Sequence, residues 1–523
     1  MVRLGVILAS LIVTIAASFG AGVRVESSHG VPTLTVSGVP LLVMGAQCDI
    51  WRSTRQDAAT LAFFDGYRDL NATVVSVGVP WSRCEPEKDR YDFAFLDWFI
   101  EQAEARGLRL IVNLFNSNVC GKSFEASGYP QYTPSYLLDA PDIYTRMVLT
   151  GPSGYVEGGP PLCPNDPDTR EREVRYVAEV ARHVRRRDRQ HTVVMVQLNN
   201  EFYYQQWVGE RPTDETSVRC QCPACAAAWP ERAWRNGEEF MFTSLADYAH
   251  ALSKAFLREY RLPLYLNSPW WPPRVVGLFL ERCPEIGLVG IDGVLTPNEP
   301  NMLSLSQVGR NLPFAAENPT ENGEVRLNLD VLPYYTVLGR MGLGNLLWEC
   351  GPPSTVVDDA DARARYGAAL YPLKQAMVPL AQARGTERLA GWYALRAVAG
   401  GCSRDVFGNL IAPAGAPQVV VKETFFVREG TATRIATNSP FTLALAGLSV
   451  EIADSPAGFV IAKGRRQLLL GTARGDLRIA GGAELRVTED GRRAGQPGWS
   501  VSAEGGSFRI RLSAPAVLAL RWE

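Results

Sequence analysis

The segment Thr192-Val193-Val194-Met195-Val196-Gln197-Leu198-Asn199-Asn200-Glu201 constrains the fold more than any other part of the chain. Its first half is β-branched and apolar, and it ends abruptly in amides and a carboxylate. A strand apolar at both pleat parities is buried on both faces, as in a parallel sheet covered by helices. Its polar tip then falls at the C-terminal end of the strand, where such folds gather their chemistry. Leu312-Pro313-Phe314-Ala315-Ala316-Glu317-Asn318 repeats the pattern and again ends in a carboxylate, Glu317.

Eight units of strand followed by helix can be laid out between Leu41 and Arg396, with strands expected at 41–47, 72–80, 108–115, 192–200, 263–268, 286–295, 312–317 and 343–348. The second helix shows its buried face in Phe95, Leu96, Phe99, Ile100 and Ala103, and Gly107 marks its end. Such alternation predicts an α/β protein built on a (β/α)8 TIM barrel, over residues 21–404. Long insertions at 116–168 and 202–236 would lie over the C-terminal mouth and shape a pocket there. From 405 to 523 helical periodicity stops, and short alternating strands such as Ser507–Leu512 predict a C-terminal all-β, sandwich-like domain.

The chain has 523 residues, 46% of them apolar and 21% charged, which suits a globular protein of more than one domain. A net charge of −2 gives no handle for nucleic acid or an anionic membrane. The basic run from Arg182 to Arg187 reads as a solvated helix end. Residues 1–20 carry an early Arg3, an apolar stretch from Leu4 to Ala17 and then small residues, the layout of a secretory signal cleaved near Ser18 or Gly20. The mature protein is therefore expected to be secreted or periplasmic. No other segment is apolar enough to span a membrane, and oligomeric state stays open.

Two carboxylates at strand tips suit hydrolysis of a glycosidic bond with retention, which needs one acid–base and one nucleophile about 5 Å apart across the sugar. Glu201 would protonate the leaving oxygen and then activate water, and Glu317 would attack the anomeric carbon. Asn200 would bind the sugar 2-hydroxyl. Glu349, at the end of strand eight, is the rival nucleophile, and its neighbour Trp348 offers a flat face for the sugar's C–H groups. Aromatics crowd the expected mouth at Trp51, Trp81, Phe202, Tyr203, Tyr204, Trp207, Trp270 and Trp271. Trp270, just past strand five, is the next candidate platform. Only four histidines occur, none at a strand tip, and there is no phosphate-cradling glycine loop.

Gln197-Leu198-Asn199-Asn200-Glu201 resembles the acid–base motif of the large (β/α)8 clan of retaining glycosidases that contains the β-galactosidases of families 42 and 35. Trp81-Ser82-Arg83-Cys84-Glu85-Pro86, followed by Tyr91-Asp92-Phe93, is similar to their segment after strand two. The stretch Val174–Glu201 resembles their helix leading into strand four. This likeness implies a β-linked oligo- or polysaccharide substrate, retention, and the roles given above for Glu201 and Glu317. Two features depart from the families. Val75 stands where family 42 has a galactose-contacting arginine, and 291–297 lacks the tyrosine that usually holds the nucleophile. The reading is an exported, exo-acting, β-galactosidase-like enzyme. An endo-acting β-glycanase of the same clan and an inactive carbohydrate-binding barrel are the alternatives.

Of ten cysteines, Cys220, Cys222 and Cys225 form a tight cluster in which all three cannot pair with one another, and Cys163 would complete a tetrahedral thiolate set for structural zinc. Leu162-Cys163-Pro164 and the Cys220–Cys225 cluster resemble the zinc site of family 42. Disulfides are the other reading, since an exported chain permits them. No catalytic cofactor is expected.

Overall fold

The computed structural model describes residues 22–29, 31–48, 55–117, 132–148, 162–200, 219–229, 237–268, 271, 273–292, 308–309, 311, 314–320, 323–338, 342–349, 356–398, 403–404, 410–411, 418–428, 431–437, 441–445, 448–464, 466–480, 485–489, 498–504 and 507–522. Within them, eight parallel strands close into a barrel. In chain order they are Val43–Cys48, Val74–Pro80, Arg109–Phe115, Val193–Gln197, Leu264–Ser268, Leu288–Asp292, Ala315–Pro319 and Gly344–Glu349. They are called barrel strands one to eight below, and each falls at an expected strand.

Burial explains why these segments become strands. Every residue of Val74–Pro80 and of Val193–Gln197 is buried, because one face meets the barrel interior and the other the helices outside. The intervening helices carry ordinary start and stop signals. Pro167–Arg187 opens with Asp166, whose side chain accepts from the Thr169 backbone N–H at 3.0 Å, and has a proline in its first turn. Its last turn holds Arg185, Arg186 and Arg187, which suit the negative helix end. The barrel closes where strand eight meets strand one. There Gly344 has φ of +140°, and a Cβ on it would lie 1.8 Å from the Val43 carbonyl oxygen. Only glycine fits that seam.

Two regions extend the expected layout. Residues Val23–Ser28, Val31–Val36 and Val39–Leu41 form a three-stranded antiparallel sheet that leads into barrel strand one and packs on the helix Met377–Ala383. Strand Leu389–Val398 precedes the expected boundary at 404, yet it pairs antiparallel with Gln418–Arg428 and Ala457–Gly464 inside a seven-stranded C-terminal sheet. Its alternation had merged with the last helices of the barrel when read as sequence. A five-stranded sheet covers the seven-stranded one, with Trp392, Val460, Leu470 and Leu518 facing Leu443, Val450, Leu477 and Ile510 in one core. The other face, through Phe459, Ile461, Leu469 and Val517, joins the core of the barrel. Among the described residues no helix is long and apolar enough to cross a membrane.

An ion cluster ties the two parts together. Asp330, on the barrel side, accepts from Arg396 of the C-terminal sheet at 2.6 and 2.9 Å and from Arg365 at 3.0 Å. Burial would raise the Asp330 carboxyl, but the two guanidinium groups outweigh it and hold it below the usual carboxylate range. Asn328 adds a backbone clamp, accepting from Arg396 N at 2.7 Å and donating to its carbonyl oxygen at 2.8 Å. Asp330→Asn should cost about 1–3 kcal/mol in denaturant unfolding. That exceeds a surface pair and falls short of a fully buried one, because Arg396 and Arg365 keep 20% and 28% exposure. A depressed carboxyl stabilises the fold above its unfolded value and stops doing so as pH falls through its folded one. The gap between variant and wild type should therefore close below about pH 4. A gap that persisted at lower pH would assign the loss to packing instead.

Candidate active site

Alternate strands of a (β/α)8 barrel contribute side chains to common interior layers. Here barrel strands one, three, five and seven supply Gln47, Asn113, Tyr265 and Glu317 to one connected polar layer. Gln47 Nε2 donates to Glu317 Oε1 at 3.2 Å, and Asn113 Nδ2 donates to Gln47 Oε1 at 3.0 Å. The Tyr265 hydroxyl lies 2.9 Å from Asn113 Oδ1 and 2.9 Å from Gln197 Oε1 on strand four. Gln197 Nε2 in turn donates to Asn200 Oδ1 at 2.9 Å. The layer thus runs from Glu317 to Asn200 without a break.

Glu317 reaches this layer through an irregular strand. Pairing shifts register between Ala315 and Glu317 on one side and between Ala315 and Asn318 on the other. Asn318 Nδ2 bridges the disturbed ladder, donating to Ala315 O at 3.2 Å and Leu346 O at 2.7 Å. An irregularity of this sort re-aims a side chain, here a carboxylate that stays 7% exposed at the C-terminal mouth.

Strand eight separates its two candidates by pleat parity. Trp348 pairs with Gln47 and shares its inward face, where it is half-buried. Glu349 pairs with Cys48 and points the other way. It accepts from the Tyr67 hydroxyl, on the helix Ala58–Asp69 outside the barrel, and from Thr320 Oγ1 at 3.2 Å. Of the two carboxylates, only Glu317 therefore shares the inward layer with Gln47. Glu201 and Trp270 lie outside the described residues; the segment that leaves strand four is described as far as Asn200.

Where strands three and four end lies a second network that sequence reasoning missed. Glu173, fully buried on Pro167–Arg187, accepts from Asn116 Nδ2 at 2.9 Å, Asn199 Nδ2 at 3.4 Å and the Tyr248 hydroxyl. Burial raises its carboxyl, and donors from Ser117, Tyr248 and Asn116 pull it back. Next to it, Arg172 pairs with buried Glu85 and bonds Asp89 at 2.8 Å. Glu85 also accepts from Trp81 Nε1 at 2.7 Å, and the Trp81 ring stacks on Tyr176. Trp81 is wholly buried, and Trp271, 6% exposed, stacks on Phe279. Both are packing residues rather than sugar platforms. The signal for Gln47, Asn113 and Gln197 was present in the sequence as single amides interrupting apolar strands.

Cys163, Cys220, Cys222 and Cys225 converge as buried free thiols whose sulfurs all lie within 4.8 Å of one another. Cys163 Sγ is 3.4 Å from both Cys225 Sγ and Cys222 Sγ. A disulfide needs about 2.05 Å, whereas sulfurs at tetrahedral corners about 2.3 Å from a metal are about 3.8 Å apart. Asn165 Nδ2 and Val148 N donate to Cys225 Sγ and Cys220 Sγ at 3.2 and 3.3 Å, contacts that suit thiolates. The donor set thus fits a closed four-thiolate metal site. His250, Cys283 and Glu285 also approach within 4.8 Å of one another, but at the opposite rim of the barrel, where His250 Nδ1 and Glu285 Oε2 already bond at 2.7 Å.

The model of glycoside hydrolase family 42, described as β-galactosidase, matches residues 58–235. No curated protein matches the chain. Similar solved structures include the exo-β-1,4-mannosidase Op5Man5 from Opitutaceae bacterium strain TAV5, at 16% identity and TM-score 0.42 over 69% of this chain and 63% of that one. A β-galactosidase from the Antarctic haloarchaeon Halorubrum lacusprofundi is 14% identical with TM-score 0.41, over 64% of this chain and 58% of that one. Endo-glycoceramidase II from Rhodococcus sp. is 12% identical with TM-score 0.39, over 92% and 97%. The chain spans less than two thirds of the mannosidase and of the galactosidase. Over residues 58–235 the chain is similar to the β-galactosidases of glycoside hydrolase family 42.

Proposed function

We propose that this protein is a retaining glycoside hydrolase, exported after loss of residues 1–20, that removes terminal β-linked sugars, with β-galactosides as its first candidate substrates. The observation that carries the reading is the seat of Glu317 at the mouth, held by Gln47 and sharing its inward layer with Trp348. Glu317 Oε attacks the anomeric carbon as the bond to the leaving oxygen breaks, and the Glu201 carboxylic acid gives that oxygen its proton. An ester then joins Glu317 to the sugar. In the second step the Glu201 carboxylate takes a proton from water, the water oxygen attacks the anomeric carbon, and the ester bond breaks to restore the Glu317 carboxylate. Asn200 would hold the 2-hydroxyl, Trp348 would floor the sugar, and Trp270 would add a second face.

The test is hydrolysis of a panel of aryl α- and β-glycosides covering galactose, glucose, mannose, fucose, xylose and arabinose. One β-glycoside should be turned over, and Glu317→Ala should lower its kcat by at least about 10³-fold. Glu349→Gln should retain that turnover in whatever fraction stays folded, since its carboxyl faces the helices. Cleavage of internal linkages only, in polysaccharides, would replace exo with endo action.

For the four cysteines we propose structural zinc, closed to substrate and without a catalytic role. The purified protein should carry about one zinc per chain, and Cys225→Ser should lose it and lower the thermal midpoint. Metal-free protein with two disulfides among these residues would overturn the assignment.

A further inference from the structure

The layer that ends on Glu317 has a direction. An ionised carboxylate only accepts hydrogen bonds, so Gln47 must present its amide N–H to Glu317 and its oxygen to Asn113. Asn113 must then present its own oxygen to Tyr265, as the contacts at 3.2, 3.0 and 2.9 Å record. Every donor in that branch points toward Glu317. A second branch leaves the same hydroxyl for Gln197 Oε1, also at 2.9 Å, and ends with Gln197 Nε2 on Asn200. Tyr265, Asn113 and Gln197 are wholly buried and Gln47 is 5% exposed, so solvent is kept from these groups. The Tyr265 ring is held edge-on to Phe314 with centroids 5.5 Å apart. A phenol has one proton and here faces two acceptors at equal distance.

We infer that Tyr265 is a positioning residue whose single proton answers to the charge on Glu317, serving the Glu317 branch when that carboxylate is free and the Asn200 branch when it is esterified. The inference rests on the reading of Glu317 as nucleophile given above. While Glu317 is an anion, its charge polarises Gln47 and Asn113 in turn and draws the Tyr265 proton to Asn113 Oδ1, because hydrogen bonds in such a chain strengthen one another. In the glycosyl ester Glu317 is neutral and that pull lapses. The proton then turns to Gln197 Oε1, which strengthens the Gln197 donor bond to Asn200. No bond is made or broken and no proton leaves Tyr265. The two steps of the reaction would thus see differently supported partners at Glu317 and at Asn200.

Three variants of the full chain separate the branches: Tyr265→Phe removes the shared proton, Gln47→Met cuts the Glu317 branch, and Gln197→Met cuts the Asn200 branch. The first readout needs no substrate. Carboxyl-labelled glutamate is titrated by carbon-13 NMR, with the Glu317 signal assigned by its loss in Glu317→Gln. Its midpoint should rise by about one unit in Tyr265→Phe and in Gln47→Met and stay put in Gln197→Met. The second readout follows both steps with a dinitrophenyl glycoside of the accepted sugar. Gln197→Met should slow deglycosylation by about tenfold or more while leaving the acid limb of kcat/KM in place; Gln47→Met should move that limb upward. Equal midpoints in wild type and Tyr265→Phe would overturn the inference, as would identical effects of Gln47→Met and Gln197→Met on both steps. Should Tyr265→Phe fail to fold, the two methionine variants decide the matter alone. Turnover surviving Glu317→Ala would instead strike down the nucleophile reading.

Discussion

A polar layer inside a closed barrel persists only when its groups satisfy one another, because no water is there to do it. Gln47, Asn113, Tyr265, Gln197 and Glu317 are one another's partners, with the one Tyr265 proton shared between two acceptors, and that pairing fixes much else. It fixes amide orientation, since a carboxylate that accepts forces each neighbour in turn. It also fixes strand register. A slip by one residue would turn Gln47 or Asn113 out among the helices and leave its partners unpaired. Replacing one of the set strands a buried donor or acceptor, at about 1–3 kcal/mol. The site is therefore part of what holds the barrel in register.

The same reasoning separates neighbours that look equivalent in sequence. Trp348 and Glu349 stand side by side after an apolar run, and both read as candidates. In a parallel pair, residues in register share a face, so the partner decides. Gln47 takes Trp348 inside, and Cys48 takes Glu349 outside to Tyr67 and Thr320. Strand seven breaks its own alternation to present Glu317, and Asn318 repairs the ladder by bonding two backbone carbonyls. The barrel tolerates that irregularity at its mouth, where the strand is ending and loops take over.

Much of this was legible in the chain. Continuous apolar runs located all eight barrel strands, and the abrupt polar tips of strands four and seven located Asn200 and Glu317. The close cysteine spacing located three of four thiols, and Cys163 followed from likeness. Other features left weaker traces. Gln47 and Asn113 are single amides in apolar runs, and which face a residue occupies depends on register, which one sequence does not carry. The N-terminal sheet is three short strands with tight turns, a pattern easily absorbed into the approach to strand one. Leu389–Val398 is ten residues long and apolar on both faces because it is central in its sheet, so it looked like barrel rather than sandwich.

The two long loops after strands three and four are where the sequence promises a pocket, and the structure ties them together twice. Near the barrel, Glu173 holds Asn116 at the end of strand three and Asn199 at the end of strand four. Farther out, Cys163 from the first loop meets Cys220, Cys222 and Cys225 from the second. Both ties run through one element. The helix Pro167–Arg187 begins just after Cys163 and carries Glu173 on its second turn. A cross-link limits a loop most when it divides a long stretch into shorter ones, because closure entropy grows with the length left free. Residues between strand three and the helix are pinned at Thr133, whose hydroxyl bonds Asn116 O at 3.0 Å, and again at Cys163. The thiol cluster therefore acts on the site at one remove. It fixes the start of the helix, the helix fixes Glu173, and Glu173 fixes the strand end from which Asn200 reaches the mouth.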